Sequence, residues 1–470
     1  MARHCAGPAE GPAHHPGEVS ELSHRRKDKK RAYVIAGAGT AALATAAILL
    51  PYANAGQEQQ PRPGPTTAKA AAVMGSELAD ENGDSTAGWF LDGKSKNRLV
   101  MNVLDEETAE RVEQRGATAR IVENSKAELK KVSDTLAGDA SVPGTAWSVD
   151  PRTNQVVVLA DRTVDSQGWD NLNETAAGMD EKMTVKRSSG EFKPFTGDHS
   201  GGMNDDGAGQ NAGGAGQNAG GAGQNAGGAG QNAGGAGEDA GGAGDDAGGA
   251  GDGGAGGDAA EGVLGGDAIF AAGTRCSLGF NVEVDGAPAF LTAGHCGNAA
   301  ESWTSDEAGA EALGTVADSQ FPESDFALLG YDDAAAQPTS AVNLDPLGQG
   351  QGGTQEITGA AEAAVGMEVQ RSGSTTGLSE GTVTGLDATV NYGGGDIVNG
   401  LIQTDVCAEP GDSGGAMFSQ DQAVGLTSGG SGDCTQGGET FFQPVTTALE
   451  ATGATIGEGG AGEAEQQQQQ

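Results

Sequence analysis

The chain has 470 residues, 83 of them glycine and only 4 % aromatic, and carries a formal net charge of −40. That acidity excludes nucleic acid and anionic membrane surfaces as partners, because both would repel it. The glycines concentrate in one tract that cannot bury enough apolar surface to offset its ordering entropy, which leaves a core-forming segment on each side.

The N-terminus reads as a long export signal over 1–55. RRKDKKR (25–31) precedes an apolar run from Ala32 to Leu50, and Ala53-Asn54-Ala55 supplies small residues for a signal peptidase. The run is also just long enough to remain as an uncleaved anchor, but its Gly, Thr and Ala content favours removal, with the membrane touched only during export. Residues 56–75 read as a Pro/Ala linker.

Residues 76–196 have the composition of an ordinary small α+β domain. RLVMNVL (98–104) and NQVVVLADRTV (154–164) predict strands. Between them, DEETAERVEQRG and NSKAELKKVSDTLA have helical spacing, with Asp105 and Asn124 expected as N-caps. Residues 197–262 carry GAGQNAG at a period of seven without apolar a and d positions, so they predict a Gly-rich linker rather than a coiled coil. Asp198-His199-Ser200 sits at its start. Adjacent residues in such a segment cannot hold a proton relay, and the triplet is read as coincidence.

From Val263 to residue 457 short β-branched or aromatic runs alternate with Gly, Asn and Asp turns: SLGFNVEV, PAFLTAG, DFALLGY, EGTVTGL, LIQTDV, QAVGLTSGG. This is the pattern of an all-β barrel or sandwich, with one helix expected over Val445–Ala451. Residues 458–470 read as a disordered tail. From Val263 onward there are 29 acidic residues against two basic ones, Arg275 and Arg371. The excess reads either as a soluble, monomeric, self-repelling surface or as adaptation to high salt, where counter-ions screen the repulsion.

Of five cysteines, Cys5 would leave with the signal, and the even four that remain suit an oxidising compartment. Cys276, Cys296, Cys407 and Cys434 allow three pairings. No Cys-x-x-Cys or histidine cluster suggests a metal or other cofactor.

Peptide hydrolysis at neutral pH needs a nucleophile, a base and donors for the oxyanion. GDSGG (411–415) presents Ser413 on a tight turn, where the amides of Gly411 and Ser413 can converge on one oxygen. His295, in LTAGHC, is the only histidine after residue 262 and so the only candidate base there. For the orienting carboxylate, Asp325 enters an apolar strand where a buried acid needs a partner. Asp306, Asp332 and Asp333 lie in polar, turn-like surroundings, so the residues alone favour Asp325 without excluding the others.

These motifs resemble the streptogrisins, of the bacterial chymotrypsin-like family that includes alpha-lytic protease. RCSLGFNV (275–282), LTAGHC (291–296), SDFALL (324–329), RSGSTTG (371–377), ATVNYGGGD (388–396), CAEPGDSGG (407–415), GLTSGGSGDC (425–434) and FFQPV (441–445) follow one another in family order. The resemblance implies an all-β protease of two six-stranded antiparallel β-barrels, with His295 and Asp325 on the first and Ser413 on the second. It implies the disulfides Cys276–Cys296 and Cys407–Cys434, and an internal ion pair between Arg371 and Asp412. Activation would then depend on removal of a pro-region rather than on a freed terminus.

The same resemblance lines the substrate pocket with Ala408, Glu409, Pro410, Ser428, Gly429 and Gly430. Glutamate-specific relatives use a pocket histidine, and Thr427 stands at that position here. A large apolar or aromatic residue before the scissile bond is therefore expected, with glutamate specificity or a non-catalytic binder on the same fold as alternatives. RLVMNV, GATARIV and VPGTAWSVDPRTNQVVV make 76–196 resemble the family's pro-region, a folding assistant and inhibitor acting in cis. At the junction the chain departs from the pattern: SSGEFKPF (188–195) should almost abut VLGGDAI (263–269), yet residues 197–262 intervene. Maturation is expected just before Val263, after earlier nicks in the linker, with a smaller departure at Ala416, where proline is common.

Overall fold

The computed structural model describes residues 64–198, except 66, 94–97 and 139–140, and residues 262–457, except 272, 351 and 433. The expected signal, nearly all of the glycine tract and the tail lie outside the described residues. Within them, no helix is long and apolar enough to cross a membrane.

The first folded segment starts earlier than its composition suggests. A helix runs Ala68–Asn82, capped by the Thr67 hydroxyl on the Ala70 amide, and buries Ala71, Ala72, Gly75 and Leu78. Its first half falls in the stretch read as a linker over 56–75. Alanine is the strongest helix former, so an Ala-rich run gains helical order once one face finds a core. The helix packs on a three-stranded sheet of Thr86–Asp92, Arg98–Val103 and Thr118–Ile121. Asp105 caps the helix Glu106–Gln114 as expected. Ser125, not Asn124, caps Lys126–Ala137, because Glu128 three residues on closes a reciprocal capping box with it. Asn124 instead exchanges hydrogen bonds with Asn154.

The second half of the chain is a pair of antiparallel barrels, mostly sheet with few helices. The first takes its strands in the spatial order Phe280–Val284, Ala287–Thr292, Phe326–Tyr331, Ala312–Gln320, Ser302–Thr304, Ala268–Ala271 and Thr274–Ser277. Its first hairpin turns through Asp285 and Gly286, both at positive φ (52° and 78°), as a two-residue turn matched to strand twist requires. The second barrel runs Glu368–Gly373, Ala416–Ser419, Gln422–Gly430, Thr440–Pro444, Asp396–Thr404 and Gly377–Gly393, and closes because Glu368–Gly373 also pairs with Gly377–Gly393. The helix expected at the end is present as Val445–Thr452.

Two joints position everything that follows. Between the barrels, Phe280, Leu291 and Phe326 of the first pack with Phe418, Leu426 and Val445 of the second part. Between the first folded segment and the second barrel, Leu78, Leu99, Met101 and Val112 share one core with Val365, Met367, Val383 and Phe442. The strand Thr145–Asp150 of the first segment also pairs with Gly377–Gly393, extending the second barrel's sheet through Gln155–Ala160 to Met183–Arg187. A seventeen-residue strand would otherwise leave a long unpaired edge, and the first segment covers it.

Candidate active site

The three residues singled out for proton transfer meet in the cleft between the barrels. His295 sits on a short helix, Gly294–Ala299, one residue after the strand Ala287–Thr292. The Cys276–Cys296 disulfide ties that turn to the edge hairpin. Asp325 immediately precedes the strand Phe326–Tyr331 and is fully buried. Its carboxylate lies 2.9 and 3.0 Å from His295 Nδ1 and also accepts the His295 backbone N–H at 3.0 Å. A carboxylate at Nδ1 holds the proton there, which leaves the Nε2 lone pair facing Ser413 Oγ at 2.7 Å. Of the acids that the sequence places in polar, turn-like surroundings, Asp306 accepts the Glu311 amide in an exposed turn. Asp332 accepts the Thr315 hydroxyl and Asp333 the Ala335 amide, both also exposed.

Ser413 is presented by a turn that only glycine permits. Gly411 has φ +102° and Gly414 +82°, and a Cβ at Gly411 would fall 2.7 Å from Arg275 Nη2. The Gly411 carbonyl is held by the hydroxyls of Ser277 and Ser374, each at 2.9 Å. Behind the turn lies the pair Arg371–Asp412, 3.0 Å apart with both side chains fully buried. Burial pushes the Arg371 guanidinium down from its usual range, and the Asp412 carboxylate opposes that shift. Asp412 in turn accepts the amides of Glu409, Thr375 and Thr376. The Cys407–Cys434 disulfide closes the loop carrying this turn.

Four contributors were not visible as such in the sequence. Gln443 accepts the Asp325 amide at 2.8 Å across the barrel interface. Its motif, FFQPV, gives no sign of which residue it reaches. Ser277 and Ser374 brace the turn, and the Tyr392 hydroxyl meets Ser428 Oγ at 3.1 Å. Burial pushes the Tyr392 phenol up, so it stays neutral at this wall of the cleft.

The proposed pocket residues fall into two groups. Ser428, Gly429 and Gly430 form a strand edge that is already engaged. Pro194 of the pro-region pairs opposite Gly429 and Lys193 opposite Gly430. The Phe195 N–H donates to the Ser428 carbonyl at 3.2 Å, and the Phe195 carbonyl accepts the Gly411 N–H at 2.6 Å. Ala408, Glu409 and Pro410 lead into the Gly411–Gly414 turn. There the Glu409 carboxylate accepts the Cys434 amide and the Pro410 carbonyl accepts the Thr375 hydroxyl.

With this geometry in hand, the chain's likenesses fall into place. Its residues 59–122 match the family described as alpha-lytic protease pro N-terminal, 124–180 match the alpha-lytic protease prodomain, and 284–451 match the trypsin family. It is 44 % identical to streptogrisin-D of Streptomyces griseus over 94 % of both chains. It is 38 % identical to streptogrisin-A of the same organism over 71 % of this chain and 85 % of that one. Over 41 % of this chain and 99 % of the relative it is 43 % identical to glutamyl endopeptidase 2, also of Streptomyces griseus.

Proposed function

We propose that this chain, which belongs to the streptogrisin and alpha-lytic protease family of serine proteases, is a secreted precursor that acts through His295, Asp325 and Ser413. The observation that carries the reading is the continuous relay from Asp325 through His295 to Ser413, at 2.9 and 2.7 Å, beside a Gly411 N–H that already holds a peptide carbonyl. In this scheme His295 Nε2 takes the Ser413 proton as Oγ attacks the scissile carbonyl. The amides of Gly411 and Ser413 stabilise the tetrahedral oxyanion. His295 then protonates the leaving amine, and water repeats the sequence in reverse to release the acyl group. Asp325 keeps the imidazole in its working tautomer, and Gln443 keeps Asp325 in place. The paired residues Arg371 and Asp412 hold the oxyanion turn without help from a freed N-terminus.

We assign 1–55 to export, the first folded segment to a pro-domain that assists folding and inhibits in cis, and 263–457 to the protease, a monomer once mature. Peptides and proteins are its substrates, bound as an added strand along Ser428–Gly430. A non-catalytic binder would have no use for the full relay and the oxyanion turn together.

Large apolar or aromatic residues before the scissile bond suit the cleft better than glutamate. Among the described residues the sole histidine is His295, committed to Asp325 and Ser413. The Thr427 hydroxyl is spent on the Gly415 carbonyl at 3.0 Å. Similarity to glutamyl endopeptidase 2 keeps glutamate specificity as the second reading. Succinyl-Ala-Ala-Pro-X-p-nitroanilides with X = Phe, Leu, Glu or Lys separate the two. The expected kcat/KM favours Phe over Glu by at least about 100-fold, since an apolar slot leaves a carboxylate unpaired. A preference for Glu would replace the apolar reading.

A further inference from the structure

The cleft is occupied by the protein's own chain, threaded straight through it. Lys193–Pro194 lies along the Gln422–Gly430 strand on one side. On the other, Gly197 and Asp198 pair antiparallel with Arg275 and Thr274. Phe195 and Thr196 bridge the two ladders, so the peptide bond between them passes the nucleophile. The Phe195 carbonyl is the one that accepts the Gly411 N–H. The Phe195 ring is 1 % exposed, and a Cβ on Gly430 would lie 2.8 Å from its Cζ, so the slot fits this ring only because residue 430 is glycine. Three residues upstream Phe192, 2 % exposed, packs edge-on against Phe441 at 5.6 Å.

We propose that the first self-cleavage of the precursor cuts the Phe195–Thr196 bond, releasing the protease with residues 196–262 still attached as an N-terminal extension. This rests on the reading of Ser413 as nucleophile. Ser413 Oγ bonds to the Phe195 carbonyl carbon. The C–N bond breaks with its electron pair going to the Thr196 nitrogen, which takes its proton from His295. One water then hydrolyses the ester, leaving a Phe195 carboxylate and a Thr196 amine, so the step needs no other reactant. The Phe195 carboxylate keeps its place in the cleft, so the cut pro-region is a product inhibitor held by the shared sheet.

The bond before Val263 is placed quite differently. The Val263 carbonyl accepts the Asn281 side-chain amide at 2.9 Å, and the Leu264 N–H donates to Asp267 at 2.8 Å. Gly265 bridges to Val342, and the Gly266 N–H donates to the Leu278 carbonyl. This segment is seated on the barrel wall while a different bond fills the cleft. A cut before Val263 is therefore a later event that a second protease molecule performs.

The test follows the secreted full-length chain by intact mass and N-terminal sequencing over time at two concentrations, with Ser413→Ala alongside. The expected first products end in Phe195 and begin with Thr196, at a rate unchanged by tenfold dilution, while trimming toward Val263 slows on dilution. Phe195→Asp should slow the first cut on the order of 100-fold, and Phe195→Leu should cut at the same bond within about tenfold of wild type. A first product beginning at Val263 or within the repeats, from a chain that still hydrolyses the nitroanilides, overturns the proposal and leaves the protease reading standing. No cleavage together with no hydrolysis of any nitroanilide defeats both.

Discussion

Ser413→Ala is expected to lower kcat on an apolar nitroanilide by about 10⁶-fold with KM little changed, read on protein freed from its pro-region by an unrelated protease. The size follows from what the side chain does. Its Oγ, 2.7 Å from His295 Nε2, is the only group in the relay that bonds to carbon in the proposed scheme. Without it, His295 and Asp325 have no nucleophile to activate, so His295→Ala should cost about as much, and the double variant no more than either. Asp325→Asn should cost about 10⁴-fold, because an amide facing Nδ1 favours the wrong imidazole tautomer. The rate left in each case should still exceed the uncatalysed reaction, since the Gly411 turn survives. Additive losses would contradict a relay acting as one unit.

Arg371→Met is expected to destabilise the protein by about 3–5 kcal/mol, as loss of one partner from a buried ion pair does. Arg371 and Asp412 are both fully buried, so removing the cation strands a carboxylate beside Ser413. Asp412 holds the amides of Glu409, Thr375 and Thr376, so its displacement should disturb the Gly411–Ser413 turn. A fall in kcat larger than the rise in KM should accompany the shift in denaturant midpoint. Arg371→Lys should not restore either, because the Arg371 guanidinium reaches Asp412 through one nitrogen and Ser379 and the Cys407 carbonyl through another. Little change in midpoint for Arg371→Met would show that the pair is dispensable to the fold.

How far the sequence alone reaches depends on whether a feature is carried by local residues. Ser413 stands out because GDSGG combines a nucleophile with the glycines its turn needs, and His295 because the segment has no other histidine. The Asp285-Gly286 hairpin and the alternating strands are equally local, and so the all-β class was readable. The cap lies one residue beyond the expected Asn124, and the sequence does carry the decisive signal: Ser125 and Glu128 have capping-box spacing, whereas Asn124 has only the right residue type. The helix Ala68–Asn82 is not legible in the sequence, because alanines beside a proline-containing stretch read as a linker until something buries their apolar face. Contacts between remote segments leave no such trace. Nothing in FFQPV announces that Gln443 reaches the Asp325 amide, and neither strand of the Thr145–Asp150 and Gly377–Gly393 pair encodes its partner. The passage of Phe195 through the cleft is of the same kind. EFKPF looks like the end of a pro-region, but only the fold sets its carbonyl against Gly411.

The most direct test of the account is to trap the acyl-enzyme of the released protease. A slowly deacylating p-nitrophenyl ester of an apolar acyl group should give a burst of nitrophenol equal to one per protease molecule. Peptide mapping of the quenched protein should then find the acyl group on Ser413. A burst of that size with the adduct on Ser413 is the predicted result. Turnover of peptide substrates without a burst, or with the adduct on another residue, would contradict Ser413 as the nucleophile.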